Sequence, residues 1–133
     1  MDNVLEQIEP FDPYRRVEAE TMAWGYGLKT RRDAERGIVV TDIDKWERLL
    51  VKGVDLGTRG AKSLTVSVQA PAGGCIEVCL DAPDGPLVGT LTFKPGKGWK
   101  QQNVRLNGAK GVHDLYFVFA EGGFEWDWWE MKR

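Results

Sequence analysis

The sequence predicts an all-β domain, an antiparallel sandwich or barrel, and three observations carry that expectation. Apolar residues recur with a two-residue period in segment after segment, as half-buried strands require. Turn-forming clusters interrupt those segments about every 8–12 residues, the spacing of short antiparallel strands. No segment carries a persuasive helical stripe, although Asp33–Gly37 (DAERG) has enough helix-forming character for one turn.

In chain order, Arg15–Glu20 is short and alternating. Gly37–Ile43 (GIVVTDI) is β-branched and runs into an Asp44–Lys45 turn, beyond which Trp46–Leu56 reads as a longer strand. Ser63–Ala70 alternates Leu64, Val66 and Val68 against Ser63, Thr65, Ser67 and Gln69, so one face should be buried. Pro71–Gly74 (PAGG) turns the chain into Cys75–Leu80. Ala82–Pro86 (APDGP) is a turn with a mechanism, since Pro presets one dihedral and Gly takes the strained position. Leu87–Phe93, a turn at Lys94–Gly98 (KPGKG), Gln101–Leu106, His113–Ala120 and Phe124–Lys132 complete about nine strands. One β-sandwich with loops at its rims is the expectation.

The chain has 133 residues, enough for one domain with a sizeable core. Hydrophobic residues at 42% and charged ones at 29% exclude general disorder. Eighteen Lys+Arg against twenty Asp+Glu leave a net charge of −2, which argues against gripping nucleic acid or an anionic membrane through bulk charge. No stretch approaches the roughly 20 apolar residues of a membrane span. The N-terminal run shows no signal-peptide pattern. Residues 1–12 read as a linker or boundary segment, and 13–133 as the module. Sixteen Gly fit many turns, and six Trp are a surplus that needs a reason.

Cys75 and Cys79 on one strand face lie about 13 Å apart. A disulfide needs Cα atoms within about 7 Å, so they are read as two structural thiols. A lone His113 leaves no metal-ligand pair to join them. Motifs for nucleophilic, phosphate-binding or zinc-dependent catalysis are lacking. Acidic residues could make a carboxylate pair, but a domain this small has little room for a catalytic cleft and its supporting shell.

The strings DPYRRVEAETMAWGYGLKT, VTDIDKWERLLVKGVDLG, GGCIEVCLDAPDGPLVGTLTF, GKGWKQQNVRLNGAKGVHDLYFVF and FEWDWW carry a family likeness. From Asp12 onward the chain resembles family 6 carbohydrate-binding modules. The front string and VTDI look most like modules that follow the catalytic domain of family 43 glycoside hydrolases, which attack xylan and arabinoxylan side chains. The resemblance implies a β-jelly roll of two antiparallel sheets with a sugar-binding cleft at its loop end. Independent chemistry agrees: sugars need flat aromatic platforms and a few hydrogen-bonding groups.

Trp99 follows KPGKG at a strand start, where a loop rim should be, and the resemblance makes it the main stacking platform. The family usually faces that ring with the tyrosine of V-G-Y-I; here VTDI places Asp42 there. Glu125 stands where the family often has Asn, and Arg31 where a carboxylate or amide often follows G-x-K-T. The expected cleft therefore keeps one platform and changes its polar partners. Arg31, opposite in charge, is a candidate partner for Asp42 or Glu125. Trp24 and Tyr26 in AWGYG are loop candidates to supply a second ring.

Glu18 and Glu20, at i and i+2, share a strand face and need a cation or solvent; their hard oxygens suit Ca²⁺. In the family this E-x-E pair and the terminal Asp hold a structural calcium, which implies Glu18, Glu20 and Asp127 here. Alternation in the last strand puts Phe124, Trp126 and Trp128 on one face and Glu125, Asp127 and Trp129 on the other. Trp128 matches the family's core tryptophan, so the resemblance implies a core position for it, with Trp126 core-side beside it; Trp129 reads most simply as a sheet-surface aromatic. Trp46 could line the concave sheet face, and His113 should be a structural hydrogen-bonding residue.

The function implied is a non-catalytic module that holds an attached glycoside hydrolase on plant cell-wall polysaccharide, most simply xylan or arabinoxylan. Its partners would be that glycan and the catalytic domain, with neither nucleic acid nor membrane involved. Its setting would be extracellular, within a secreted multidomain enzyme. The alternative is a docking sandwich that packs on its catalytic neighbour with weak or no sugar binding.

Overall fold

The computed structural model describes residues 11–19 and 28–133. Glu20, Trp24 and Tyr26 lie outside the described residues. Among the described residues ten strands occur: β1 (Val17–Glu18), β2 (Lys29–Asp33), β3 (Gly37–Thr41), β4 (Arg48–Asp55), β5 (Ala61–Gln69), β6 (Gly74–Leu80), β7 (Leu87–Phe93), β8 (Trp99–Ala109), β9 (Val112–Glu121) and β10 (Glu125–Lys132). They form two antiparallel sheets, one of order β2-β3-β10-β5-β8 with β1 also on β10, the other of order β4-β9-β6-β7. No α-helix occurs among the described residues. The architecture is the predicted all-β sandwich.

Two-residue alternation explains how the sheets meet. Leu64, Val66 and Val68 of β5 face inward and are 0–1% exposed. They pack with Ile76 and Val78 of β6, Leu115, Phe117 and Phe119 of β9, and Leu49 and Val51 of β4 in one core. Aromatic rings cross it edge-on: Phe117 meets Trp126 at 5.1 Å and 78°, and Phe119 meets Phe124 at 5.7 Å and 77°. Such pairs add to the area they bury.

Three local expectations are corrected. The strand Lys29–Asp33 is absent from the predicted set, because KTRRD is charged and carries no apolar alternation; it is an edge strand held by full pairing with β3. Asp33–Gly37 makes a hairpin turn rather than a helical one. Asp33 Oδ1 accepts the backbone N–H groups of Glu35 at 2.9 Å and Arg36 at 3.1 Å, which offers the chain a tight turn in place of a helix. Trp46 lies before β4 rather than on a sheet face, 58% exposed with φ +72°.

The largest departure is in β10. Trp126 pairs with Val68 but Trp128 pairs with Ser67, so Asp127 is an extra residue, a β-bulge. The bulge reverses the phase of the strand. Trp129 then follows Trp126 into the core, fully buried and 5.1 Å from Phe117. Trp128 lies on the other side of the sheet beside Ser67, still buried at 5% exposure but outside the inter-sheet cluster, and the Arg16 guanidinium stacks 3.9 Å from its ring centre. The two tryptophans exchange the roles that strict alternation assigns them. The Trp126 indole N–H donates to the Trp128 carbonyl at 2.9 Å and closes the bulge from inside.

Cys75 and Cys79 are buried free thiols on β6, as expected. Burial pushes the Cys79 thiol above its ordinary pKa. His113 Nδ1 lies 2.8 Å from Asp81 Oδ2 in the loop after β6, and its neighbour Asp114 accepts the Gly53 N–H of β4 at 2.9 Å; both hold the start of β9 in place. Phe11 already joins the sandwich through a bridge to Val54.

Candidate functional site

At one end of the sandwich, Thr41, Asp42, Gln69, Pro71, Gly123, Phe124 and Glu125 enclose a pocket of about 260 Å³. Register places these groups together. Val40 pairs with Trp126 and points inward, so its neighbour Thr41 points outward. Gln69 pairs with Glu125 on one side and Trp99 on the other, giving a Glu125–Gln69–Trp99 row across three strands. The Gly122–Gly123 turn closes the end. A Cβ on Gly122 would lie 2.4 Å from the Ile43 carbonyl oxygen, so only glycine lets this loop rest on the Asp42 loop.

Arg31 on β2 grips Glu125 with two parallel bonds, Nε to Oε2 at 2.5 Å and Nη2 to Oε1 at 2.6 Å. Thr41 Oγ1 donates to Oε2 at 2.6 Å, and Gln69 Nε2 to Oε1 at 3.0 Å. Four donors therefore hold one carboxylate. The Arg31 bonds above all, with those of Thr41 and Gln69, hold the Glu125 carboxyl down at about 2, against the opposing effect of burial. Arg31 is pushed up in turn, first by its bond to Glu125. Of the two partners open to Arg31, the structure brings Glu125 to it. With its acceptor positions filled, Glu125 positions Arg31, Thr41 and Gln69 in this ligand-free geometry.

Asp42 differs. It sits at φ +51° on the pocket wall, exposed, with no hydrogen bond or ion pair among the described residues. Its carboxylate is free to accept hydroxyl protons. Trp99 is half-buried, and the Arg36 guanidinium lies 4.7 Å from its ring centre, covering one face. Arg36 Nη1 also donates to Ser67 Oγ at 3.1 Å and Asp127 Oδ2 at 3.0 Å. The platform ring is thus tied through Arg36 to the bulge in β10.

The residues implied for calcium fit a hard cation in part by observation. Asp127 is 5% exposed, and its Oδ1 is buried without a hydrogen-bond partner among the described residues. An orphaned buried carboxylate oxygen is costly unless a cation or donor reaches it. Glu18 pairs with Trp128, the residue next to Asp127, so β1 brings the E-x-E segment to this edge. Glu20 lies outside the described residues, among which no group of three or more His, Cys, Asp or Glu gathers.

Thr41, Gln69 and Arg36 escaped the sequence reading. Gln69 and Thr41 alternate outward at the ends of strands that converge on Glu125, a signal visible once register is known. Arg36 follows a turn whose form the sequence did not reveal.

The profile described as carbohydrate binding module (family 6) matches residues 18–133. An arabinoxylan arabinofuranohydrolase of Bacillus subtilis is 38% identical over 141 residues, covering 97% of this chain and 28% of that protein. The chain therefore spans under a third of that relative's length. The crystal structure of a family 43 arabinoxylan arabinofuranohydrolase from Bacillus subtilis, in complex with cellotetraose, superposes with TM-score 0.90 at 37% identity, over 97% of this chain and 29% of that one. A family 6 module from Clostridium cellulolyticum in complex with xylose superposes with TM-score 0.84 at 26% identity, over 92% and 99%. These matches, on a sandwich with an aromatic and a polar pocket at its loop end, place the chain in carbohydrate-binding module family 6.

Proposed function

We propose that this chain is the xylan- or arabinoxylan-binding module of a longer, secreted family 43 glycoside hydrolase, non-catalytic itself, and that it binds sugar in the Asp42 pocket. The observation that carries the reading is Asp42, an unpaired carboxylate on a pocket wall whose other polar groups are already locked together. A sugar ring stacks on the uncovered face of Trp99, and Asp42 accepts hydroxyl protons. Trp24 and Tyr26 are the candidates for a second ring. The named substrate of the Bacillus relative and the xylose bound by the Clostridium module favour this glycan class. Affinity should be modest, because one platform leaves a small surplus over the entropy lost on binding.

Affinity electrophoresis against xylan, arabinoxylan, β-glucan and cellulose tests it. Retardation by xylan or arabinoxylan, reduced at least tenfold in Trp99→Ala and in Asp42→Ala, is expected. No retardation by any of the four would establish the docking reading instead. That alternative has its own support, since Arg36 covers one face of Trp99 and Glu125 has no acceptor to spare. Reducing sugar released by the isolated chain would overturn the non-catalytic assignment.

The same proposal assigns calcium to Glu18, Glu20 and Asp127, where it would cross-link the two chain ends and satisfy Asp127 Oδ1. Calcium at 100 times its Kd stabilises the fold by about 2.7 kcal/mol, raising Tm by roughly 10 °C. Calorimetry with and without EDTA reads this directly, and Asp127→Asn should respond far less. An unchanged Tm on chelation removes the metal from the proposal.

A further inference from the structure

We propose that the opposite end of the sandwich carries a second site, one that takes the carboxylate of an acidic sugar residue. β5 and β8 run the length of the sheet, and their other ends lie roughly 26 Å from Gln69 and Trp99. There the ladder breaks: Ala61 pairs with Ala109 but Ser63 pairs with Arg105, so three residues of β8 face Lys62 alone. Bulges of this kind re-aim side chains and open a surface. The result is a groove of about 360 Å³ lined by Arg59, Lys62, Arg105, Asn107 and Lys110, over a floor that includes buried Leu106.

Four exposed cations meet in this groove, and among the described residues no carboxylate lines it. None of the four takes part in an ion pair among the described residues. The cluster is built in. Gly60, at φ +80°, brings its loop so near β8 that a Cβ would lie 2.5 Å from the Ala109 oxygen and 2.8 Å from Lys110 Cβ. The Gly111 N–H donates to the Gly57 carbonyl at 2.8 Å, and Lys62 Nζ to the Arg59 carbonyl at 3.4 Å. Like charges held together by the backbone are stabilised by an anion, and Arg matches a carboxylate with two parallel bonds.

The ligand's size follows from the charge map. Lys94, Lys97 and Lys100 are also exposed near Trp99, so this groove is distinguished by four cations converging on one cavity within a chain of net charge −2. A duplex needs a long track of cations to neutralise its phosphates, whereas four cations in a groove of about 360 Å³ match a single carboxylated sugar. The apolar floor is buried, so little remains for a protein interface, which needs about 1,000 Å².

The test compares glucuronoxylan, the same polymer with its carboxylates reduced to alcohols, and neutral arabinoxylan, by affinity electrophoresis and titration calorimetry. Reduction should weaken binding about tenfold, and sodium glucuronate should compete for the difference. The double variant Arg59→Ala/Arg105→Ala, both exposed positions, should abolish that difference and leave arabinoxylan binding at the parental value. Glucuronoxylan binding that survives Trp99→Ala supports the second site even where neutral glycans fail to bind, which separates this inference from the function proposed above. Equal affinity for native and reduced polymer overturns it. So does an unchanged double variant, or duplex DNA or polyglutamate binding as tightly as glucuronoxylan through the same arginines.

Discussion

Trp129→Ala is expected to lower stability by about 3–5 kcal/mol, the range for deleting a buried aromatic side chain. Trp128→Ala should cost less, about 2–3 kcal/mol, because its ring, though 5% exposed, is covered by Arg16 and lies outside the inter-sheet cluster. The order follows from the bulge at Asp127, which sends Trp129 against Phe117 and Phe11 and turns Trp128 outward. Strict alternation demands the reverse order, so the comparison decides between the two. Trp129→Phe adds a finer check. The Trp129 indole N–H is buried with no partner among the described residues, so losing it offsets part of the lost volume. Urea unfolding of the three variants reads all of this; a Trp128→Ala loss equal to that of Trp129→Ala would sink the bulge assignment.

Glu125→Ala should cost about 2–3 kcal/mol at pH 7, because it leaves Arg31, Thr41 and Gln69 without their common acceptor. The pH dependence has a definite sign. The Glu125 carboxyl is depressed from 4.5 to about 2 in the fold, so its contribution is complete above pH 4.5 and is lost as pH falls towards 2. A shift of that size corresponds to about 3.4 kcal/mol; with Arg31 38% exposed, solvent screening leaves roughly 1–2 kcal/mol. Between pH 5 and 2 the parent should lose most of that amount relative to Glu125→Gln. Parallel pH profiles would mean that the ion pair contributes nothing to the fold. Above pH 5 the carboxylate stays ionised, so this group should leave sugar affinity flat across neutral pH.

Much of the sandwich was legible because β5, β7 and β9 repeat a two-residue pattern that only a half-buried sheet explains. β2 was not, since its pairing is made by the backbone and KTRRD advertises nothing. The error in β10 has a different origin. A bulge leaves no compositional mark, and the one hint was an acid set between tryptophans. At the site, opposite charge was enough to make Arg31 and Glu125 candidate partners. The choice of Glu125 over Asp42 depended on register, which brings Gln69 and Thr41 to the same carboxylate. Trp46 was misplaced because its exposed, left-handed turn conformation is one usually left to glycine.

The Asp127 bulge also sets two phases in β10, and only the first brings a side chain to the pocket. Before it, Glu125 faces the pocket while Trp126 faces the core; after it, the core positions are Trp129 and Met131, with Trp129 also on the β1 seam. Because the phase changes between them, a substitution at 125 can rewrite what the pocket accepts without altering which residues fill the interior. Recognition can drift at the one outward position before the inserted residue while Trp126, Trp129 and Met131 keep the interior constant.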